Sequence, residues 1–247
     1  MLPHPTIAAL HRLGLFGMAK AFEAQLAQPD EAALPFADRL ALLVDREAAE
    51  RDDKRYAARL RLARLRHQAS VEDLDWRAPR GLDRGLVQAL LSGRWIDAHE
   101  NLLITGPTGV GKSWIACALG HKACRDDVPV LYQRLPRLVQ DLDLARGDGR
   151  YARLLKTLAR AKLLILDDWG MAPLSPEQRR DILEIMDDRF GRASTIVTSQ
   201  FPVDHWHQLI GDPTLADAIL DRIVHNAHRL ALSGESLRAR KTKEDPE

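Results

Sequence analysis

Three groups of residues in this 247-residue chain have types and spacing suited to chemistry on a polyanion. The first lies in Leu102 to Ser113, LLITGPTGVGKS, a full match to the pattern GxxxxGK[ST] behind a short apolar run. Glycines at Gly106, Gly109 and Gly111 permit backbone conformations that turn successive amide hydrogens toward phosphate oxygens. A helix beginning at Ser113 aims its positive end at the same charge. In this pattern Lys112 reaches the β- and γ-phosphates of a nucleotide, and the Ser113 hydroxyl takes a position on Mg²⁺. The expected nucleotide-binding set is Gly106, Pro107, Thr108, Gly109, Val110, Gly111, Lys112, Ser113 and Trp114. The second group is the acidic pair closing LLILDD. Asp167 is expected to hold Mg²⁺ through water, and Asp168 to orient or deprotonate an attacking water. The third is TIVTSQ, where Ser199 or Gln200 suits a hydrogen bond to the γ-phosphate or to that water, against the plainer reading of a strand leaving its sheet.

Positioning these groups calls for a sheet. Besides the run before the glycine loop, Val128 to Tyr132, Leu163 to Leu166, Thr195 to Gln200 and His228 to Leu232 read as strands. Helices at Trp114 to Arg125, Leu135 to Ala145, Tyr151 to Ala159, Glu177 to Phe190 and Leu215 to Val224 separate them, with Ser175 as an expected cap. Strands alternating with helices predict an α/β fold, a parallel sheet flanked by helices whose carboxyl edge gathers the loop and the acids. Trp95 and Ile96, just ahead of the first strand, suit packing either on an adenine ring or in the core. Cys117 and Cys124 fall on one face of their helix, an arrangement of packing rather than of metal binding.

The beginning of the chain is different in kind. Residues 1 to 75 read as helices only, Pro5 to Leu26 and then Phe36 continuing to His67, with Asp38 as a cap. Residues 76 to 100 carry Pro79, Gly81 and Gly85 and read as a linker with a short helix from Leu86 to Ile96, and residues 101 to 247 form the nucleotide-binding domain. Apolar residues make up 45%, charged residues 29%, and the net charge is +1, a soluble composition whose charge sum says little about partners. No run of eighteen apolar residues exists and the first residues lack the pattern of a secretion signal, so a cytoplasmic protein without membrane contact is expected. The charge distribution says more. Lys54, Arg55, Arg59, Arg61, Arg64 and Arg66 occur in KRYAARLRLARLRH with no acid among them. Such a run is either a solvated helix face or a surface for duplex phosphates, and its spread over more than one face favours backbone contact without base reading.

Taken in order, GPTGVGKS, LLILDDWG, TIVTSQFP and ILDRIVHNAHRLALSGESLR resemble the IstB-like family of insertion-sequence ATP-binding proteins. These are transposition helper ATPases of the AAA+ class, which also contains the DnaC-type helicase loaders, and the resemblance covers almost the whole chain. It implies a P-loop NTPase of AAA+ type with a small all-helical N-terminal domain and an abbreviated C-terminal lid. It also implies a Mg²⁺-dependent ATPase that self-assembles on duplex DNA and works with a cognate transposase in insertion-sequence target selection. By the same resemblance Arg222 is an arginine finger entering the ATP site of a neighbouring subunit, Arg238 a second sensor and Gln200 the first. Asp168 stands where many AAA+ proteins have glutamate, and the slow hydrolysis this suggests suits a timing switch. A loader of a replicative helicase is the alternative; Tyr56, the one aromatic residue in the basic run, offers little for stacking single strands.

Overall fold

A computed structural model describes residues 4–28 and 34–237 of the chain. They divide between two compact units, Met1–Ala58 and Arg59–Glu247, so the expected boundary near residue 75 falls inside the second unit. The reason is local bonding. Arg59 Nε donates to the Cys124 carbonyl at 2.9 Å, and the Arg80 carbonyl accepts from Ser233 N–H at 2.9 Å.

In the first unit, α1 (Pro5–Arg12) and α2 (Phe16–Ala27) replace the single expected helix, because Gly14 turns the chain at φ +72. Helix α3 (Phe36–Ala63) meets α2 at Gly17, where an added Cβ would lie 2.6 Å from the Arg46 carbonyl oxygen. This closeness lets the buried Glu47 carboxylate accept from the N–H groups of Gly17 (2.7 Å) and Met18 (3.1 Å), capping α2 from a neighbouring helix. Arg51 also donates to it, and that bond with the two amides holds Glu47 below the usual carboxylate range. Helix α3 stops at Ala63 rather than His67, since Arg64 takes a left-handed φ of +52.

The second unit opens with α4 (Arg84–Leu91) and α5 (Arg94–Asp97), parted at Gly93. Trp95 and Ile96 are buried and Trp95 Nε1 donates to the Leu90 carbonyl, which settles their role as core packing. Five strands follow: β1 (Asn101–Thr105), β2 (Val130–Arg134), β3 (Leu163–Trp169), β4 (Ser194–Ser199) and β5 (Ala227–Ala231). They form one sheet in the order β2-β3-β4-β1-β5, parallel throughout. Between them run α6 (Lys112–Arg125), α7 (Leu135–Gly147), α8 (Tyr151–Arg160), α9 (Pro176–Arg189), α10 (Trp206–Ile210) and α11 (Pro213–Val224). Leu103, Leu164, Leu166 and Val197 face a core shared with α7, α8, α9 and α11. Ile165 points the other way, onto α6, where Gly120 leaves space; a Cβ there would be 2.8 Å from it. Both faces are covered, as a parallel sheet requires. Ser175 caps α9 in a reciprocal box with Gln178. Among the described residues no helix is long and apolar enough to cross a membrane.

Candidate nucleotide site at the carboxyl edge of the sheet

Strand β1 lies between β4 and β5, and its end releases the chain into the glycine loop. Gly106, Gly109 and Gly111 have φ of +142, +88 and +98, and Lys112 opens α6 with Gly111 as its cap. The loop leaves no room for side chains at these positions. Added Cβ atoms would run into the Leu232 carbonyl, the Ser236 side chain and Arg80 Nη1 respectively. Leu232 and Ser236 belong to the turn after β5, which braces the loop: Leu232 N–H donates to Thr105 O (2.7 Å) and Leu237 N–H to Gly109 O (3.0 Å). Val110 is fully buried, while Pro107 and Thr108 are exposed.

Lys112 is buried, and its Nζ donates to the carbonyls of Gly106 and Pro107, each at 2.7 Å. Burial pulls its pKa down, opposed by the charges of Asp167 and Asp168. The Ser113 hydroxyl stands 2.7 Å from Asp167 Oδ1. Strand β4 intervenes between β1 and β3, yet it joins the two ends, because Thr198 Oγ1 donates to Asp167 Oδ1 at 2.5 Å and accepts from Asp168 N–H at 3.2 Å. Tyr132, from β2, donates to Asp167 Oδ2 at 2.5 Å, and burial first, then this carboxylate, raises the phenol pKa far above its usual value.

Successive residues of a strand point to opposite faces, so Asp167 and Asp168 need a device to share one site. A register shift between β3 and β4 over Leu166 to Trp169 supplies it, with Asp168 at φ +66. Both carboxylates then approach Arg66 Nη1, at 3.6 and 3.9 Å, and Arg134 Nε donates to Asp168 Oδ2 at 2.7 Å. A cavity of about 880 Å³ opens here, lined by Lys112, Ser113, Trp114, Asp168 and Gln200 among others. Gln200 Nε2 lies 3.1 Å from Met171 Sδ at its rim, whereas Ser199 is buried with its hydroxyl on the Trp169 carbonyl, which removes it from the site.

Other expected residues lie elsewhere. Arg222 is at the amino edge: its carbonyl accepts from Asn101 Nδ2 at 3.1 Å, and its guanidinium pairs with Asp187 and the Ala218 carbonyl. Asn101 starts β1 and Gly106 follows its end, a separation of about 16 Å at 3.3 Å per residue. Arg238 is outside the described residues. The basic run is also redistributed. Lys54 faces Glu50 and the Phe16 ring, Arg55 pairs with Asp52, and Arg59 pairs with Asp127; Lys54, Arg55, Arg61 and Arg64 are exposed, and Arg66 lines the nucleotide cavity. The six are not all on one helix: it stops at Ala63, so Arg64 and Arg66 follow it. Arg66, Arg80, Arg134, Tyr132 and Thr198 were not expected in the site.

The chain can now be set beside known proteins. The family of IstB-like ATP binding proteins matches residues 8–245. An insertion sequence ATP-binding protein of Sinorhizobium fredii, y4pL, is 63% identical over 96% of this chain and 97% of its own length. Among solved structures, DnaI superposes with a TM-score of 0.58 at 23% identity, over 67% of this chain and 91% of that one. AMPPCP-bound DnaA from Aquifex aeolicus superposes with a TM-score of 0.57 at 16% identity, over 73% of this chain and 56% of that one. The two structural likenesses show a shared fold, and the match along nearly the full chain makes this protein a member of the IstB-like ATP-binding proteins of insertion sequences.

Proposed function

We propose that this protein is a Mg²⁺-dependent ATPase that assembles on duplex DNA and prepares an insertion-sequence target for its cognate transposase in the cytoplasm, with hydrolysis as the timing switch. The observation that carries this reading is that Lys112 and Ser113 line a cavity large enough for a nucleotide, with Asp167 buried against the Ser113 hydroxyl. The residues fit the groups they would bind. Three glycines leave a cradle that any Cβ would fill, and a hydroxyl and a carboxylate 2.7 Å apart are hard oxygen donors suited to Mg²⁺, with remaining positions for water and phosphate oxygens. When bound, Mg²⁺ neutralises charge on the β- and γ-phosphates.

The chain's own residues then have separable tasks. Lys112 exchanges two loop carbonyls for phosphate oxygens, and Thr198 and Tyr132 hold Asp167 in place. Asp168 orients the attacking water and takes its proton, with Gln200 at the same rim. Arg222 cannot reach its own cavity from the amino edge, which supports a neighbouring subunit as its target. Arg238 is assigned to nucleotide sensing by the family pattern alone. For DNA, the exposed Arg61 and Arg64 are the strongest remaining phosphate contacts, with Lys54 and Arg55 beside them, and the weak contacts add up across subunits.

The test mixes two inactive variants. Arg222→Ala should bind ATP and hydrolyse it poorly, Lys112→Ala should not bind it, and the mixture on duplex DNA should regain turnover because a Lys112→Ala subunit donates its Arg222. A trans arginine is worth about 10³ to 10⁵ in rate, so partial recovery is measurable. Full activity of Arg222→Ala alone, or equal turnover without DNA, would overturn the assembled reading.

A further inference from the structure

The nucleotide cavity contains a buried cation that the phosphate pattern does not include. Arg80 lies between Pro79 and Gly81, in the stretch expected to be a linker, and is 3% exposed. Its backbone is pinned on both sides, the N–H to the Ala78 carbonyl and the carbonyl to Ser233 N–H, both at 2.9 Å. The guanidinium reaches the glycine loop from there. Nη1 donates to the Val110 carbonyl at 3.4 Å, a long bond, and Nη2 to the Asp75 carbonyl at 3.1 Å. Nη1 comes so near Gly111 that a Cβ there would lie 2.8 Å from it. The glycine thus serves the arginine as well as the loop.

The electrostatics are incomplete. Among the described residues the Arg80 guanidinium forms no salt bridge, and its Nε–H is enclosed without a hydrogen-bond acceptor. Burial pushes its pKa down, and the more distant Asp75 charge opposes this only in part. A buried charge without a partner is costly, so such groups persist where a counter-charge arrives from elsewhere. Arg80 lines the cavity and touches the loop at Val110 and Gly111, an arrangement that supplies one. Arg80 meets the loop at Val110 and Gly111, whereas Ser113 meets Asp167 at the end of β3.

We infer that Arg80 is a nucleotide-binding residue whose missing counter-charge is the α,β-diphosphate common to ADP and ATP. The inference rests on the glycine loop being an ATP site. It makes the segment ahead of β1 one wall of that site, and it gives the protein a cation that reads the diphosphate rather than the γ-phosphate.

The experiment compares wild type, Arg80→Met and Arg80→Lys in the full-length protein, by calorimetric titration with ATP, ADP and adenosine and by thermal melting. Arg80→Met should lose about tenfold to hundredfold in affinity for ATP and ADP alike, the usual worth of a hydrogen bond to a charged group, and Arg80→Lys should lose less. Without nucleotide, Arg80→Met should melt no lower than wild type, while its stabilisation by ADP shrinks. Affinity within twofold of wild type, a loss confined to ATP, or an equal loss for adenosine would each overturn the inference, as would a lower melting point with ADP stabilisation intact. If wild type itself binds neither ATP nor ADP, the ATP-site reading fails instead. Should Arg80→Met not fold, wild type labelled with ¹⁵N-arginine decides, its Arg80 Nε–H signal identified by its loss in Arg80→Lys. Saturating ADP should shift that signal, and an unmoved signal overturns the proposal.

Discussion

The two ends of the sheet treat buried charge in opposite ways. At the amino edge, Arg189 is as enclosed as Arg80, at 2% exposure, yet each of its nitrogens has an acceptor. Nε donates to Thr195 Oγ1 (3.1 Å), Nη1 to the carbonyls of Leu158 (2.8 Å) and Ala161 (2.7 Å), and Nη2 to that of Ser194 (2.5 Å). Asn101 beside it is equally committed, donating to the carbonyls of Arg222 and Ile223 and accepting from Thr195 N–H. At the carboxyl edge, Lys112 takes carbonyls of its own loop, Arg80 keeps an unmatched N–H, and Asp168 sits in a left-handed conformation that L-residues rarely adopt. The two arginines differ in this: Arg189 has an acceptor for every nitrogen, and Arg80, among the described residues, has none for its Nε–H. Burial alone therefore does not separate a structural arginine from a binding one. The roster of acceptors does.

This contrast can be broken most easily at Arg189. Burial pulls its pKa down to about 10, and the side chain ties the end of α8 to the start of β4. Arg189→Met leaves several buried carbonyls unpaired and should cost roughly 3 to 5 kcal/mol of stability, read by chemical denaturation, with nucleotide affinity per folded molecule unchanged. A variant as stable as wild type would erase the distinction between the edges. A smaller effect sharpens it. Ser175→Ala, after β3 on the ligand side, removes the α9 cap and should cost about 1 kcal/mol while leaving ATP affinity within twofold, showing that stability and binding separate even there.

The smallest expected effect is in protons. The Lys112 pKa is lowered from 10.5 by burial, so its charge burdens the fold below that lowered value and the burden lifts as pH rises through it. ATP favours the charged form. Binding should accordingly take up a fraction of a proton on the alkaline side, measured by calorimetry in buffers of different ionisation heat. Proton release by wild type would contradict the assignment.

Much of this was legible in the residues. The glycine loop, the acids closing β3 and the strand-helix alternation are local patterns, and their chemistry follows from spacing along one segment. The arginines were not, because their meaning depends on where the chain returns. Arg80 meets Val110 thirty residues later, and a proline and a glycine around it read as a hinge. Arg66 belonged on paper to a continuous basic helix, but the left-handed turn at Arg64 sends it to Asp167 and Asp168. Thr198 likewise gains its role only when β4 inserts between the two strands that carry the loop and the acids.

The bond from Leu237 N–H to the Gly109 carbonyl has a mechanical corollary. Leu237 is leashed to the glycine loop, so a ligand that reshapes Gly109 must either carry Leu237 with it or break that bond.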